Sequence, residues 1–321
     1  MKILVTGAAG MLGSALVPAL AAAGHDVYPT DIRTPPVGDG GTPGPRFGHL
    51  DVRSRTEITE WFDRVQPDFV MHLAAETDVD LCQAQPDHAY ATNAIGTKHV
   101  ALACQAAGLP LTYVSTAGVF DGEKDEPYVE FDAARPIAVY GASKLAGEQY
   151  VQTFLSRFYV VRAGWMIGGG EIDHKFVGKI LHQLDEGATT LYAVTDKLGT
   201  PTYAPDFAAC LVRLMETGSY GLYHMACRGY GTRYDVAKKI LEILGRTDHV
   251  ELVPVGSEHF REQYPAPRPR SEMMRNLMLD LQGLNTMRPW QDALDDYLAR
   301  LLPKRADAAQ PSGDLNLARR A

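Results

Sequence analysis

The stretch KILVTGAAGMLGSALVPALAAAG, residues 2–24, restricts the fold more than any other part of the chain. KILVTG is a continuous apolar run of strand length, and the Ala- and Leu-rich segment that follows, ended by Gly24, is long enough for a helix. Between them lies Gly7-Ala8-Ala9-Gly10-Met11-Leu12-Gly13. A small-residue turn that opens a helix lets the backbone approach a pyrophosphate, which the free N–H groups and the positive end of the helix dipole then hold. The spacing is GxxGxxG, not GxGxxG, so the signal comes from its place between strand and helix. One lysine and a short apolar run give the N-terminus the outline of a signal peptide. The glycines that follow assign it to a first strand instead.

The alternation continues. HDVYPTD, PDFVMHLAA, LPLTYVSTAGVF and FYVVRAG have strand character. TEITEWFDRV, VDLCQAQPDHA, ATNAIGTKHVALACQAAG and ASKLAGEQYVQTFL have helix character. This pattern predicts an α/β fold, a Rossmann doubly wound parallel sheet with helices on both faces, over residues 1–165. From about Gly168 helices are separated by short strands such as TLYAV and GLYHMA. A smaller α/β C-terminal substrate-binding lobe is expected over residues 166–303, with exchange of a strand or helix between the lobes allowed. YPAPRPRS is excluded from helix and central strand. Thr34 to Arg46 is a loop by composition, and residues 304–321 are expected to form a flexible tail.

A net charge of -8 argues against nucleic-acid binding, which needs a basic face, but leaves room for a small anionic ligand. No apolar run is long enough to cross a bilayer. Cys82, Cys104, Cys210 and Cys227 form no CxxC pair and fit reduced thiols of a cytoplasmic protein. Without HExxH or a Cys/His cluster, no catalytic metal is expected.

Asp31 ends the second strand, where an acid accepts both ribose hydroxyls of NAD and repels a 2′-phosphate. Arg33 softens that preference, so NADH is expected, with NADPH as the alternative. Asp51 and Val52 are expected at the adenine edge, and Leu73, Ala74 and Ala75 along the cofactor. Tyr140 and Lys144 stand at i and i+4, on one face of a helix. An ammonium beside a phenol lowers its pKa toward neutrality, and a phenol so tuned is an acid for a developing alkoxide. The lysine also suits the nicotinamide ribose. YxxxK alone is common on solvated helices. A hydroxyl at the preceding strand end, from Ser115 or Thr116, falls in the ligand crevice of a doubly wound sheet and sets this pair apart.

Together with the glycine turn, HLAA, ATNAIGT, STAGVF and YGASKLAGE resemble the extended short-chain dehydrogenase/reductase superfamily. Within it, STAGVFDG, VYGASKLAGE, RAGWMIGGG, DKLGTPTYAPDFA and the RPR of Arg268 to Arg270 make the chain most similar to the dTDP-4-dehydrorhamnose reductase family, from residue 1 to about 300. The resemblance implies Thr116, Tyr140 and Lys144 as the catalytic triad. It implies Asn93 as the asparagine that helps hold a water, and the lysine through its helix backbone. The implied reaction is NAD(P)H-dependent reduction of the C4 ketone of a nucleotide-linked 4-keto-6-deoxysugar. Sugar-nucleotide 4,6-dehydratases, which are also similar, carry Asp-Glu directly after the threonine. Here Ala117-Gly118 offers no acid or base to remove water. Epimerase-reductases of the GDP-fucose type use a cysteine near this point, and none is present.

The chain also departs from the family. Ala15 stands where some members place a glutamate used in a magnesium-linked dimer, so that bridge is not expected and a monomer or homodimer is. Lys175 replaces an asparagine common before the phenylalanine at 176, and RPRSEMMRN lacks the usual Asn-Ser after RP. Trp165 is a candidate wall for the sugar or base. Lys175, Lys197, Arg268 and Arg270 are candidate diphosphate partners, with Arg268 foremost because prolines stiffen its loop. Two alternatives stay open. One is a sugar-nucleotide 4-epimerase with tightly bound NAD. The other is a non-catalytic binding subunit, like the regulatory subunit of methionine adenosyltransferase that is similar to this family.

Overall fold

Successive side chains of a strand point to opposite faces. In β1 (Lys2–Thr6), Ile3 and Val5 join one apolar cluster and Leu4 the other. The computed structural model describes residues 1–33 and 46–309. Except for Arg46, the loop expected from Thr34 onward lies outside the described residues, as does the tail past Ala309. β2 (Asp26–Asp31), β3 (Gly48–His49), β4 (Phe69–His72), β5 (Leu111–Thr116) and β6 (Phe158–Ala163) follow in the first half. Short strands β7 (Trp165–Ile167), β8 (Thr190–Val194), β9 (Leu198–Gly199) and β10 (Pro201–Tyr203) precede β11 (Gly221–His224). β12 (Gly231–Thr232), β13 (Glu251–Val255) and β14 (Ser271–Glu272) complete the set. The seven-stranded sheet runs β11-β6-β5-β4-β1-β2-β3 and is parallel throughout.

The helices are α1 (Met11–Ala22), α2 (Arg55–Val65), α3 (Val79–Ala84), α4 (Pro86–Tyr90), α5 (Thr97–Ala107), α6 (Val139–Phe154), α7 (Phe176–Asp185), α8 (Ala204–Glu216), α9 (Arg233–Ile243), α10 (Leu277–Leu281) and α11 (Trp290–Ala309). Ile58 and Trp61 of α2, Val100 and Cys104 of α5 and Val151 of α6 pack with Leu4, Val70 and Val160 on one face of the sheet. Leu16 and Leu20 of α1 and Phe207 and Leu211 of α8 pack with Ile3, Val5, Met71 and Val161 on the other. That second cluster continues without a break beyond the large sheet, through Val177, Ile240 and Leu294. Strands buried on both faces read as unbroken apolar runs, as KILVT does.

GLYHMA, from the stretch after residue 165, supplies β11, which pairs with β6 as the outer strand of the large sheet, a strand exchange of the kind allowed for. It covers an edge that would otherwise present unpaired backbone groups. Two other elements differ from expectation. ATNAIG, expected as ordinary α-helix, forms a π-helical turn, Ala91–Gly96, ahead of α5. α11 continues to Ala309 through Pro303, past the expected start of the tail. Strand order reverses between β1 and β4, and the crevice beyond their carboxyl ends is where an open α/β sheet binds ligands. Among the described residues no helix is long and apolar enough to cross a membrane, and all four cysteines are buried and free.

Candidate active site

The glycine turn leaves β1 into that crevice. Gly7 has φ +72°, and a Cβ there would lie 2.5 Å from the Ala74 nitrogen, so only glycine lets the turn lean on the chain after β4. Gly10 caps α1 with extended backbone and no side-chain cap, which leaves the first-turn N–H groups facing outward. A Cβ on Gly10 would meet only the Gly7 carbonyl, at 3.3 Å, so the space beside it is open. Met11 is half-buried and lies near Gly169, while Leu12 is buried in the core and offers the turn its backbone. Asp31 accepts the Ala9 N–H at 3.0 Å and the Arg33 N–H at 3.0 Å, tying the turn to the end of β2. The Arg33 side chain is exposed, with Nε 3.7 Å from Asp31. Leu73 N–H donates to the Thr6 carbonyl and Ala74 N–H to the Thr6 hydroxyl, which places Leu73, Ala74 and Ala75 half-buried at the same crevice. Asp51 is gripped by Arg53, with the shortest contact 2.6 Å, and this pair lowers its carboxyl pKa; Val52 is buried.

Alternation along β5 separates Ser115 from Thr116. Ser115 faces away and donates to Glu148 at 2.5 Å. Thr116 ends the strand, where its hydroxyl accepts the Gly118 N–H at 3.1 Å. The first turn of α6 presses on this corner: a Cβ on Gly141 would run into the Gly118 carbonyl. That contact brings Tyr140 beside Thr116. Lys144, one turn on and 2% exposed, donates to the Val114 carbonyl at 2.8 Å and lies over the Tyr113 ring at 4.2 Å.

Burial pushes the Lys144 ammonium down to about 7, against the charge of Glu148. Burial pushes the Tyr140 phenol up to about 12; a hydrogen bond from Thr116 opposes the rise, while Cys82, Glu272 and Glu76 add to it. The expectation that Lys144 draws Tyr140 toward neutrality is therefore corrected: burial sets the direction, and nearby acidic groups add to it. Asn93, in the π-helical turn, accepts the Glu76 N–H at 2.8 Å and donates to the Glu76 carbonyl and the Ser143 hydroxyl, each at 3.0 Å. It thus ties the loop after β4 to α6 and bonds to α6 at Ser143, next to Lys144.

On the opposite wall, Trp165 Nε1–H donates to Glu272 at 2.7 Å, and the Arg233 guanidinium stacks on the indole at 3.7 Å. Ala117 and Gly118 carry no acid themselves, but Glu272 of β14 brings a carboxylate oxygen to 3.7 Å from where a Cβ on Gly118 would sit. Arg268 forms a two-pronged pair with Asp80, at 3.1 and 2.6 Å, and also donates to the Ala266 carbonyl. Lys197 donates to the Arg268 carbonyl at 3.0 Å, and Arg270 pairs with Asp125 at 2.7 Å. Lys175 reaches Thr77 at 3.5 Å, and burial and Arg233 lower its ammonium pKa. Among the described residues, Arg233 and Lys175 make no ion pair within 4.0 Å. Sequence reasoning missed Arg233 and Glu272 because no local spacing links either to Trp165.

Residues 1–302 match the family described as the RmlD substrate binding domain. The dTDP-4-dehydrorhamnose reductase of Mycolicibacterium smegmatis is 32% identical over 313 residues, covering 97% of this chain and 89% of that protein. The solved structure of a dTDP-4-dehydrorhamnose reductase from Clostridium acetobutylicum superposes with TM-score 0.84 at 34% identity, covering 94% of this chain and 100% of that one. The enzyme of that name from Bacillus anthracis, solved in complex with NADP, gives TM-score 0.83 at 32% identity, covering 93% and 99%. The chain belongs to the dTDP-4-dehydrorhamnose reductase family, within the extended short-chain dehydrogenase/reductase superfamily.

Proposed function

We propose that the protein reduces the C4 ketone of a nucleotide-linked 4-keto-6-deoxysugar with NAD(P)H. One observation carries the proposal: Thr116, Tyr140 and Lys144 meet at the end of β5, in the crevice that the glycine turn also lines. The names of the relatives point the same way.

The residues present fit a nicotinamide dinucleotide. The open space at Gly10, the uncapped first turn of α1 and the Asp31 carboxylate suit a pyrophosphate and an adenine ribose. Asp31 favours NADH, and the exposed Arg33 leaves NADPH acceptable. When bound, the nicotinamide supplies the hydride.

The protein's own groups handle the oxygen. A phenol with a pKa of about 12 keeps its proton at neutral pH and gives it to the far more basic alkoxide. Thr116 hydrogen-bonds the same oxygen, and Lys144 steadies the charge as the proton leaves. Arg233 and Lys175, which make no ion pair within 4.0 Å among the described residues, are the groups offered to the diphosphate, in preference to Arg268 and Arg270, which are paired.

The test is NADH and NADPH oxidation with dTDP-, GDP- and CDP-linked 4-keto-6-deoxysugars, with NMR of the product. Oxidation with one of them supports the proposal. Stoichiometric copurified NAD with no net oxidation identifies an epimerase, and no oxidation with any of them leaves a binding subunit.

A further inference from the structure

We propose that Glu272 determines substrate specificity by accepting a hydrogen bond from the sugar hydroxyl next to the ketone. The inference rests on the ketone-reductase function proposed above and extends it to the sugar.

The geometry centres on the point where a Cβ on Gly118 would sit. Thr116 Oγ1 lies 3.5 Å from it, Tyr140 Cδ1 3.6 Å and Glu272 Oε1 3.7 Å. Three polar or aromatic groups from separate elements therefore border one small volume. Two of them, Thr116 and Tyr140, serve the ketone oxygen, so the third faces what flanks it. The glycine at 118 leaves this volume free for substrate.

Glu272 is held in place from behind. Its Oε2 accepts the Trp165 indole N–H at 2.7 Å, and the indole is backed by Arg233, which also lies 5.0 Å over Phe176. No donor among the described residues bonds Oε1, and Arg233 forms no ion pair with it within 4.0 Å. One carboxylate oxygen is thus fixed and the other is left facing the catalytic corner. Its charge reaches the reacting group, because it helps to raise the Tyr140 pKa.

An ionised carboxylate accepts hydrogen bonds and donates none. The partner must be a donor, which excludes a methyl group, a ring oxygen and the ketone itself. In a 4-keto-6-deoxysugar, C5 carries the ring oxygen and the methyl group. The hydroxyl beside the ketone is therefore the one on C3. A substrate without it leaves a desolvated carboxylate oxygen unpaired, the kind of loss that discriminates strongly between analogues.

The experiment compares kcat/KM for a 4-keto-6-deoxysugar nucleotide and its 3-deoxy analogue, in the wild type, Glu272→Ala and Glu272→Gln. The wild type should prefer the hydroxylated substrate by about 10- to 100-fold, the range for a hydrogen bond to a charged group. Glu272→Ala should bring the ratio to within about threefold, with Glu272→Gln between. The inference is overturned if the wild type shows no preference, or if the wild-type preference survives undiminished in Glu272→Ala or Glu272→Gln. It is also overturned if both substrates lose rate equally. Deuterium entering beside the ketone from D2O with the wild type but not with Glu272→Gln makes Glu272 a base and overturns it too. No reduction of any keto sugar by the wild type defeats the proposed function itself, and the inference with it.

Discussion

Glu148 and Arg162 form a two-pronged ion pair beneath the Thr116–Tyr140–Lys144 corner, with Arg162 Nε 2.9 Å from Oε1 and Nη2 2.7 Å from Oε2. The two side chains are 1% and 4% exposed. The Ser115 hydroxyl completes the arrangement on Oε1. Glu148 lies one turn beyond Lys144, and its charge opposes the loss of the lysine's proton. The pair therefore joins β5, β6 and α6 where Thr116, Tyr140 and Lys144 are placed.

Glu148→Ala should destabilise the protein by about 3–5 kcal/mol, because it strands a buried guanidinium. The double variant Glu148→Met with Arg162→Met should recover most of that loss, since no charge is left unpaired. Urea unfolding of the three proteins checks both statements. A double variant as unstable as the single one would contradict them.

Tyr140→Phe removes the acid and leaves the glycine turn and Asp31 intact. Turnover should fall by about 10²- to 10⁴-fold, while the dissociation constant for reduced cofactor changes little. Stopped-flow turnover and fluorescence titration of the cofactor separate the two. A variant of near-normal rate would remove Tyr140 from the mechanism.

Lys144 carries a pH signature in stability. Its pKa is about 7 in the fold against 10.5 when free. Between those values the unfolded chain binds more protons than the folded one, so this group makes stability rise with pH from about 7 to 10.5. Below about 7 both states are protonated and the cost of burying the charge is at its full value. Lys144→Met should therefore gain most over the wild type near pH 6.5, and the gap should narrow by pH 9. Urea midpoints at the two pH values measure it; a gap independent of pH would mean the ammonium titrates normally.

Much of this was legible because it is local. Strands such as KILVT are buried on both faces and appear as apolar runs. Tyr140 and Lys144 are linked by helical spacing, and Thr116 by its strand end. The remainder depends on contacts between distant segments. Nothing near Gly221 says that β11 returns to β6, and nothing in ATNAIG marks the π-helical turn that places Asn93. The prolines around Arg268 indicate a stiff loop but not Asp80 as its partner. Glu272 reaches Gly118 only through the fold, as burial reaches Tyr140, so neither the added carboxylate nor the raised phenol pKa was visible beforehand.

The central claim is hydride delivery to a sugar ketone at the Thr116–Tyr140–Lys144 corner. Its most direct test uses reduced cofactor carrying deuterium at the transferable position of C4, in turnover with a dTDP-linked 4-keto-6-deoxysugar, followed by NMR of the product. The account predicts one deuterium on the sugar C4 for each cofactor oxidised, and loss of this transfer in Tyr140→Phe. Sugar converted with no deuterium at C4 and no cofactor consumed would contradict it.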